Sequence, residues 1–322
     1  MGGCPQHRKT EWETPVIKFE KEQKVFDIAG IKIGGQPGEY PTVLIGSIFY
    51  EKHSLVQDPN KGIFDRTQAE TQIKVLEELS DKTGNPFILD VVGISVDALI
   101  NYVDFVANVT EVPFLVDGPS ADVRIPAIKY AFEVGLNDRA IYNSIDYNVK
   151  EDEITTLKEI GVRSSVVLAF NPQNVWPEGR LEILRGAPNK PGLLEAAAKA
   201  GIEKLLIDTA VLDVPSISLA LDAVTLIKNE IGLPAGCATS NAITTWRKLK
   251  QEFSLTGYDV CTASAGVMTL TAGANFLLYG PIELANRVFP ACAMADALIA
   301  YAGRRSGIKP RVSTHPLFKI FR

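Results

Sequence analysis

The stretch RAIYNSID, Arg139 to Asp146, decides how the chain is read. Ala140, Ile141 and Tyr142 are good strand formers. Asn143, Ser144 and Asp146 stand where the apolar run stops, so a strand that reads as buried ends on an uncharged amide. Other short segments rich in Val, Ile, Leu and Phe read the same way. They are PTVLIGSIFY (41–50), FILDVVG (87–93), PFLVDG (113–118), SSVVLAFN (164–171), EKLLIDTA (203–210), LPAGCATSN (233–241) and ANFLLYG (274–280). With RAIYNSI (139–145) they make eight.

Between these strands apolar residues recur every three or four positions, as helices require. Ala69, Ile73 and Leu76 form one such set; Leu99, Val103 and Val106 another; Ile217, Leu221, Val224 and Ile227 a third. A last helix is expected over about 282–302. Asp65, Ser95, Ser120 and Ser216 are suited to cap helix starts. Gly135, Gly161, Gly201 and Gly232 are suited to end helices. Eight strand–helix units over about 250 residues is the size of a (β/α)8 TIM barrel. A doubly wound sheet is the rival, but no G-x-G-x-x-G follows the first strand. IGGQPGEY (33–40) is glycine-rich yet precedes that strand. VFDIAGIKIGG reads as a hairpin around Ala29-Gly30, capping the bottom of the barrel.

Composition narrows the function. In 322 residues, 46% are hydrophobic and 22% charged, with a net charge of −5. This argues against a nucleic-acid partner, whose phosphates call for a basic surface. No apolar run reaches the length of a membrane span, so no direct membrane insertion is expected. The N-terminus has no apolar signal core, which points to a cytoplasmic protein. The four cysteines and three histidines are too few and too scattered for a disulfide framework or a metal centre, and no metal is expected. Residues 1–18 read as an extension, 19–303 as one barrel domain, and 304–322 as a basic, solvated tail folded over the surface.

In a barrel of this kind the chemistry sits where strands end. Polar residues recur there: Asp90, Asp117, Asn143, Asn171, Asp208, Ser240 and Asn241. Any one of them could cap the following helix. The set, with no Lys or Arg at these ends, suits a neutral heterocycle rich in N–H donors and carbonyl acceptors. The amino-pyrimidinone edge of a pterin is such a group, since a carboxylate accepts its paired N–H donors. An amide both donates and accepts.

Longer motifs carry a family resemblance. FEKEQKVFDIAGIKIGGQPGEYPTVLIGSIFY (19–50), GIFD (62–65), ELSDKTGNP (78–86), DRAIYNSI (138–145) and VVLAFNP (166–172) are among them. With KLLIDTA (204–210) and GLPAGCATSNAITTW (232–246), they resemble the H-subunit family of tetrahydromethanopterin S-methyltransferase. The resemblance spans roughly 19–300 and implies a pterin-binding barrel, often a homodimer, similar to methyltetrahydrofolate:corrinoid methyltransferases. It implies methyl transfer between a corrinoid (cobalamin), carried on a separate corrinoid protein, and N-5 of a tetrahydropterin substrate, tetrahydrofolate or tetrahydromethanopterin. The family also includes a member of a membrane-bound methyltransferase complex, which is the alternative. A condensation like that of dihydropteroate synthase is disfavoured, because strand eight ends in LLYGPIE without a basic residue. By the resemblance Asp117, Asn143 and Asp208 hold the pterin; Asp90, Asn171 and Ser240, at the other strand ends, are expected beside them. Asn241 meets the reactive nitrogen, so the catalytic expectation rests on Asn241 and Asp208. The stretch GCATSN spaces Gly and Ser more widely than those relatives do.

Overall fold

A computed structural model describes residues 18–187 and 190–321. The expected extension 1–18 thus lies, apart from Lys18, outside the described residues.

The eight segments form eight parallel strands that close into a barrel. They are β1 (Val43–Ile48), β2 (Phe87–Val92), β3 (Phe114–Asp117), β4 (Ala140–Ile145), β5 (Ser164–Leu168), β6 (Lys204–Asp208), β7 (Ala235–Cys237) and β8 (Phe276–Pro281). Side chains alternate between the two faces of each strand. One face therefore fills the barrel, with Val43, Ile45, Ile88, Leu115, Ile141, Val166, Leu206, Phe276 and Leu278. The other face packs on the helical shell. Burying each such side chain is worth about 1.5–3 kcal/mol, so the interior is a packed core below its mouth.

The shell consists of α1 (Arg66–Thr83), α2 (Val96–Val109), α3 (Ala121–Glu133), α4 (Glu151–Ile160), α5 (Pro177–Arg185), α6 (Leu193–Lys199), α7 (Ser216–Glu230), α8 (Thr239–Thr244), α9 (Leu249–Thr271) and α10 (Ala285–Gly303). Asp65 and Ser95 cap α1 and α2, accepting the backbone N–H groups of Gln68 and Ala98. Ser120 sits at the cap position of α3 without a side-chain bond. Ser216 is the first residue inside α7, where its hydroxyl accepts from the N–H of Leu212 and Asp213.

The predicted hairpin is present: Val25–Ile28 pairs with Ile31–Gly34. Its two turn residues, Ala29 and Gly30, have φ of 45° and 86°, the left-handed pair that matches the twist of a two-residue hairpin. Ile28 and Ile33 are fully buried against the barrel interior, so the hairpin plugs the end opposite the strand C-termini.

Three expectations need correction. The strand expected over 233–241 stops at Cys237, and Thr239, Ser240 and Asn241 open helix α8. The strand expected to end at Asn171 stops at Leu168. There Asn171 Oδ1 accepts the N–H of Gln173 and folds the chain into a turn. The basic tail lies over the surface, but part of it is buried rather than solvated. It ends in a short helix, α11 (Pro316–Lys319), whose Leu317 packs on Ala297 and Ala300 of α10. His315 is fully buried, and Lys319 Nζ donates to the Asp81 carbonyl. Arg304, Arg305 and Arg311 remain exposed.

Candidate active site

The same alternation that fills the core places polar residues in its last inward layer. Register pairs Ser47 with Asp90, Asp117 with Asn143, and Leu168 with Asp208. These groups line one cavity of about 400 Å3 at the C-terminal mouth, together with Ser240, Asn241, Phe170 and Leu212. Of the residues expected from the sequence, Asp90, Asp117, Asn143, Asp208, Ser240 and Asn241 are brought together. Asn171 is not. Its amide is spent on its own loop, donating to the Gly179 carbonyl, and it does not line the cavity. The cavity thus has carboxyls and amides at its edges and the apolar Leu168, Phe170 and Leu278 among its walls, a shape suited to a flat polar ring.

Burial governs the charges. Asp90 is 4% exposed, and desolvation pushes its carboxyl up to about 6, against a hydrogen bond from the Ser47 hydroxyl at 2.6 Å. The side chains of Asn143 and Asp117 also act on it, though its Oδ1 makes no hydrogen bond of ordinary geometry. Asp117 is raised well above the usual carboxylate range, first by burial and then by the neighbouring Asp90 charge. Two carboxyls this close share one negative charge, so the pair offers one acid and one carboxylate. Asp208 is also pushed to about 6 by burial, against the Ala210 N–H at 2.8 Å and the nearby Arg180. At neutral pH it is ionised, and among the described residues its second oxygen engages no donor. Asn241 is exposed on the first turn of α8, where its amide can turn to a ligand. Ser240 beside it is buried.

The direction of these shifts fixes how stability depends on pH. The folded pKa of Asp208 lies above its unfolded value of 3.8, at about 6. The folded protein therefore holds the proton between roughly pH 4 and pH 6 while the unfolded chain does not. Stability present in acid is lost as the pH rises through 6. Two units correspond to about 3 kcal/mol at most. Asp208→Asn should thus be more stable than the parent by about 2 kcal/mol at pH 7, and nearly equal to it at pH 4, in urea unfolding. Equal stability at both pH values would show that this burial carries no cost.

Two arginines that the strand ends do not reveal fasten the mouth. Arg124 of α3 is 7% exposed; it donates through Nη1 to the Gly118 carbonyl and through Nε to the Tyr142 hydroxyl. Tyr142 in turn donates to Glu153. Arg180 of α5 donates to the Thr209 and Ala210 carbonyls, which holds the loop after Asp208. Arg124 has a sequence signal: it falls on the buried side of α3 with Ala127, Ile128 and Ala131. Arg180 falls on the buried side of α5 with Leu184, but its Thr209 and Ala210 partners are far along the chain and no local spacing names them.

Gly280 of β8 is a further position that strand-end reading misses. It has φ of +81°, and a Cβ there would lie 2.2 Å from the Ser240 hydroxyl oxygen. Gly280→Ala combines left-handed strain with a clash inside the mouth, so a loss of about 2 kcal/mol in urea unfolding is expected. A loss within experimental error would mean that the approach of Ser240 is not constrained.

The fold is a (β/α)8 barrel with its polar cavity at the strand C-termini. Solved structures with this architecture include the Yersinia pestis dihydropteroate synthase with a pterine-sulfa conjugate, with a TM-score of 0.60, 13% identity, and 87% of this chain and 100% of that one covered. The Xanthomonas albilineans dihydropteroate synthase in complex with 7,8-dihydropteroate has a TM-score of 0.57 at 18% identity, covering 86% and 98%. The family is narrower. The chain belongs to the tetrahydromethanopterin S-methyltransferase MtrH subunit family, whose model matches residues 21–311. It is 44% identical to the H subunit of tetrahydromethanopterin S-methyltransferase from Methanothermobacter thermautotrophicus, over 95% of this chain and 100% of that one. The corresponding protein of Methanopyrus kandleri is 45% identical, with 92% and 97% covered. The H subunit of the putative methyltransferase mtx from Methanosarcina barkeri is 41% identical, with 94% and 99% covered. The family is thus one of methyltransferase subunits. Among the described residues no helix is long and apolar enough to cross a membrane.

Proposed function

We propose that this chain catalyses methyl transfer between a corrinoid carried on a partner protein and the N-5 nitrogen of a tetrahydropterin. The observation that carries the reading is the convergence of Asp208, the Asp90–Asp117 pair, Asn143 and Asn241 on one cavity. A pterin would present its amino group and ring N–H to Asp208, and carbonyl and ring nitrogens to the acid and amides opposite. These groups hold the ring still, and positioning supplies much of the rate of a displacement. Asn241, at the rim, suits the reactive nitrogen, because an amide donates to a neutral amine and accepts from a methylated ammonium. It serves either direction without being consumed.

The corrinoid supplies the methyl group, or takes it up, through its cobalt–carbon bond. The residues present fit its approach rather than its residence: Trp176, Leu212 and Trp246, on the loops and helices after the strand ends, are exposed, apolar surface for a bulky macrocycle. The names of the relatives support a second reading, in which the chain works within a larger methyltransferase assembly. Both are tested by incubating the isolated protein with methylcobalamin and either tetrahydrofolate or tetrahydromethanopterin, following the cobalt oxidation state by absorbance. Turnover with one pterin supports the free enzyme. Turnover only after partner proteins co-purify supports the assembly. Absence of pterin binding under any condition removes both.

A further inference from the structure

Arg124 lines the strand-end cavity, yet every nitrogen of its guanidinium faces a partner within the protein. Nη1 donates to the Gly118 carbonyl, one residue past Asp117. Nε donates to the Tyr142 hydroxyl, one residue before Asn143. Nη2 is ion-paired with Glu153 Oε1 at 3.7 Å, and the same oxygen accepts from the Tyr142 hydroxyl. The guanidinium also lies over the Tyr142 ring, 5.2 Å from its centroid. Arg124, Tyr142 and Glu153 thus form one buried cluster behind β3 and β4.

The cluster acts on the ring site in two ways. The first is mechanical. Neighbouring residues on a strand face opposite sides, so Tyr142 packs between barrel and shell while Asn143 faces the cavity. Holding the phenol behind β4 fixes the direction of the amide in front of it. Asp117 and Asn143 are partners in the strand register, and Arg124 reaches the chain beside both. The second is electrostatic. Burial and then the Asp90 charge push Asp117 up, and Arg124 draws it down. Glu153, facing Arg124, offsets part of that pull. The other charged groups on the cavity wall are Asp208 and Asp146; Asp122, Lys150 and Asp152 do not line it.

We propose that Arg124 is a positioning residue of the ring site: with Tyr142 and Glu153 it fixes the Asp117–Asn143 rung and sets when the Asp90–Asp117 pair gives up its second proton. The proposal rests on the pterin reading of the cavity and adds a residue that acts through the groups touching the ring. Because Arg124 and Glu153 carry opposite charges, removing one or the other must push the pair in opposite directions. Packing alone has no such sign.

The test is the pH dependence of 6-methyltetrahydropterin affinity, measured calorimetrically on the full chain without oxygen. In the parent, affinity should fall on the alkaline side, as the acid facing the ring's acceptors is lost. Arg124→Met should move that fall to higher pH and, by loosening the rung, weaken binding about tenfold at pH 7. Arg124→Lys, which keeps the charge, should leave the fall at its parental pH. Glu153→Gln, which still offers Tyr142 an acceptor, should move it to lower pH. The same order is expected without ligand, in the carboxylic-acid infrared band that Asp117→Asn abolishes. Should Arg124→Met not fold, Glu153→Gln and Arg124→Lys still decide the matter. An alkaline fall unmoved by Glu153→Gln, or moved the same way by both charge removals, overturns the proposal. Failure of the parent to bind 6-methyltetrahydropterin is a different result: it removes the pterin reading, while the infrared titration still decides the role of Arg124.

Discussion

Asp208→Ala should weaken tetrahydropterin binding by roughly a hundredfold, in calorimetric titration at pH 7. Asp208 is inward on β6, its Oδ1 held by the Ala210 N–H and its other oxygen open to the cavity. With its carboxyl pushed up to about 6, it is mostly ionised at that pH. Two charge-assisted bonds to the amino-pyrimidinone edge are worth about 1.5–3 kcal/mol each. Losing both costs at least about 3 kcal/mol, which is the hundredfold stated. Alanine frees the Ala210 N–H but leaves Arg180 its backbone carbonyl partners. The variant should therefore fold. An affinity within threefold of the parent would mean that the ligand's donors point elsewhere.

Asn241→Ala should act on the rate instead. Asn241 lies on the exposed rim, on the first turn of α8, with its own carbonyl accepting from the Thr244 hydroxyl. In the proposed reaction its side chain serves the space where the ring nitrogen and the methyl carrier meet. A single amide aimed at a centre whose charge changes during reaction is typically worth about a hundredfold in turnover. The expected result is a kcat lowered by about that factor, with the dissociation constant of the pterin changed less than about threefold. Parallel loss of rate and affinity would reassign Asn241 to binding alone. Ser240, buried and pressed against Gly280, lines the cavity beside it.

Asp208 and Asn241 differ in how far local pattern reaches them. Asp208 follows an uninterrupted apolar run, and its inward direction is set by counting twos along β6 from Leu206, which fills the barrel. The same count places Asn143 two residues after Ile141, and Asp117 two after Leu115. Asn241 reads as a strand end and is a helix start. It reaches the cavity because α8 begins so soon after β7. Asn171 fails for the opposite reason: the strand stops three residues earlier, and its amide closes the turn that follows.

Local pattern was enough for the eight-strand barrel, the hairpin plug and the inward carboxyls of β2, β3 and β6, since side-chain alternation and apolar run length are properties of chain neighbours. The folded molecule was needed to settle which strand ends share the cavity, how Asp90 and Asp117 come to share one charge, and where Arg124 and Arg180 fasten the rim. Those features depend on the stagger between strands and on contacts between residues far apart in the chain, and no local spacing encodes the distance at which two such groups meet.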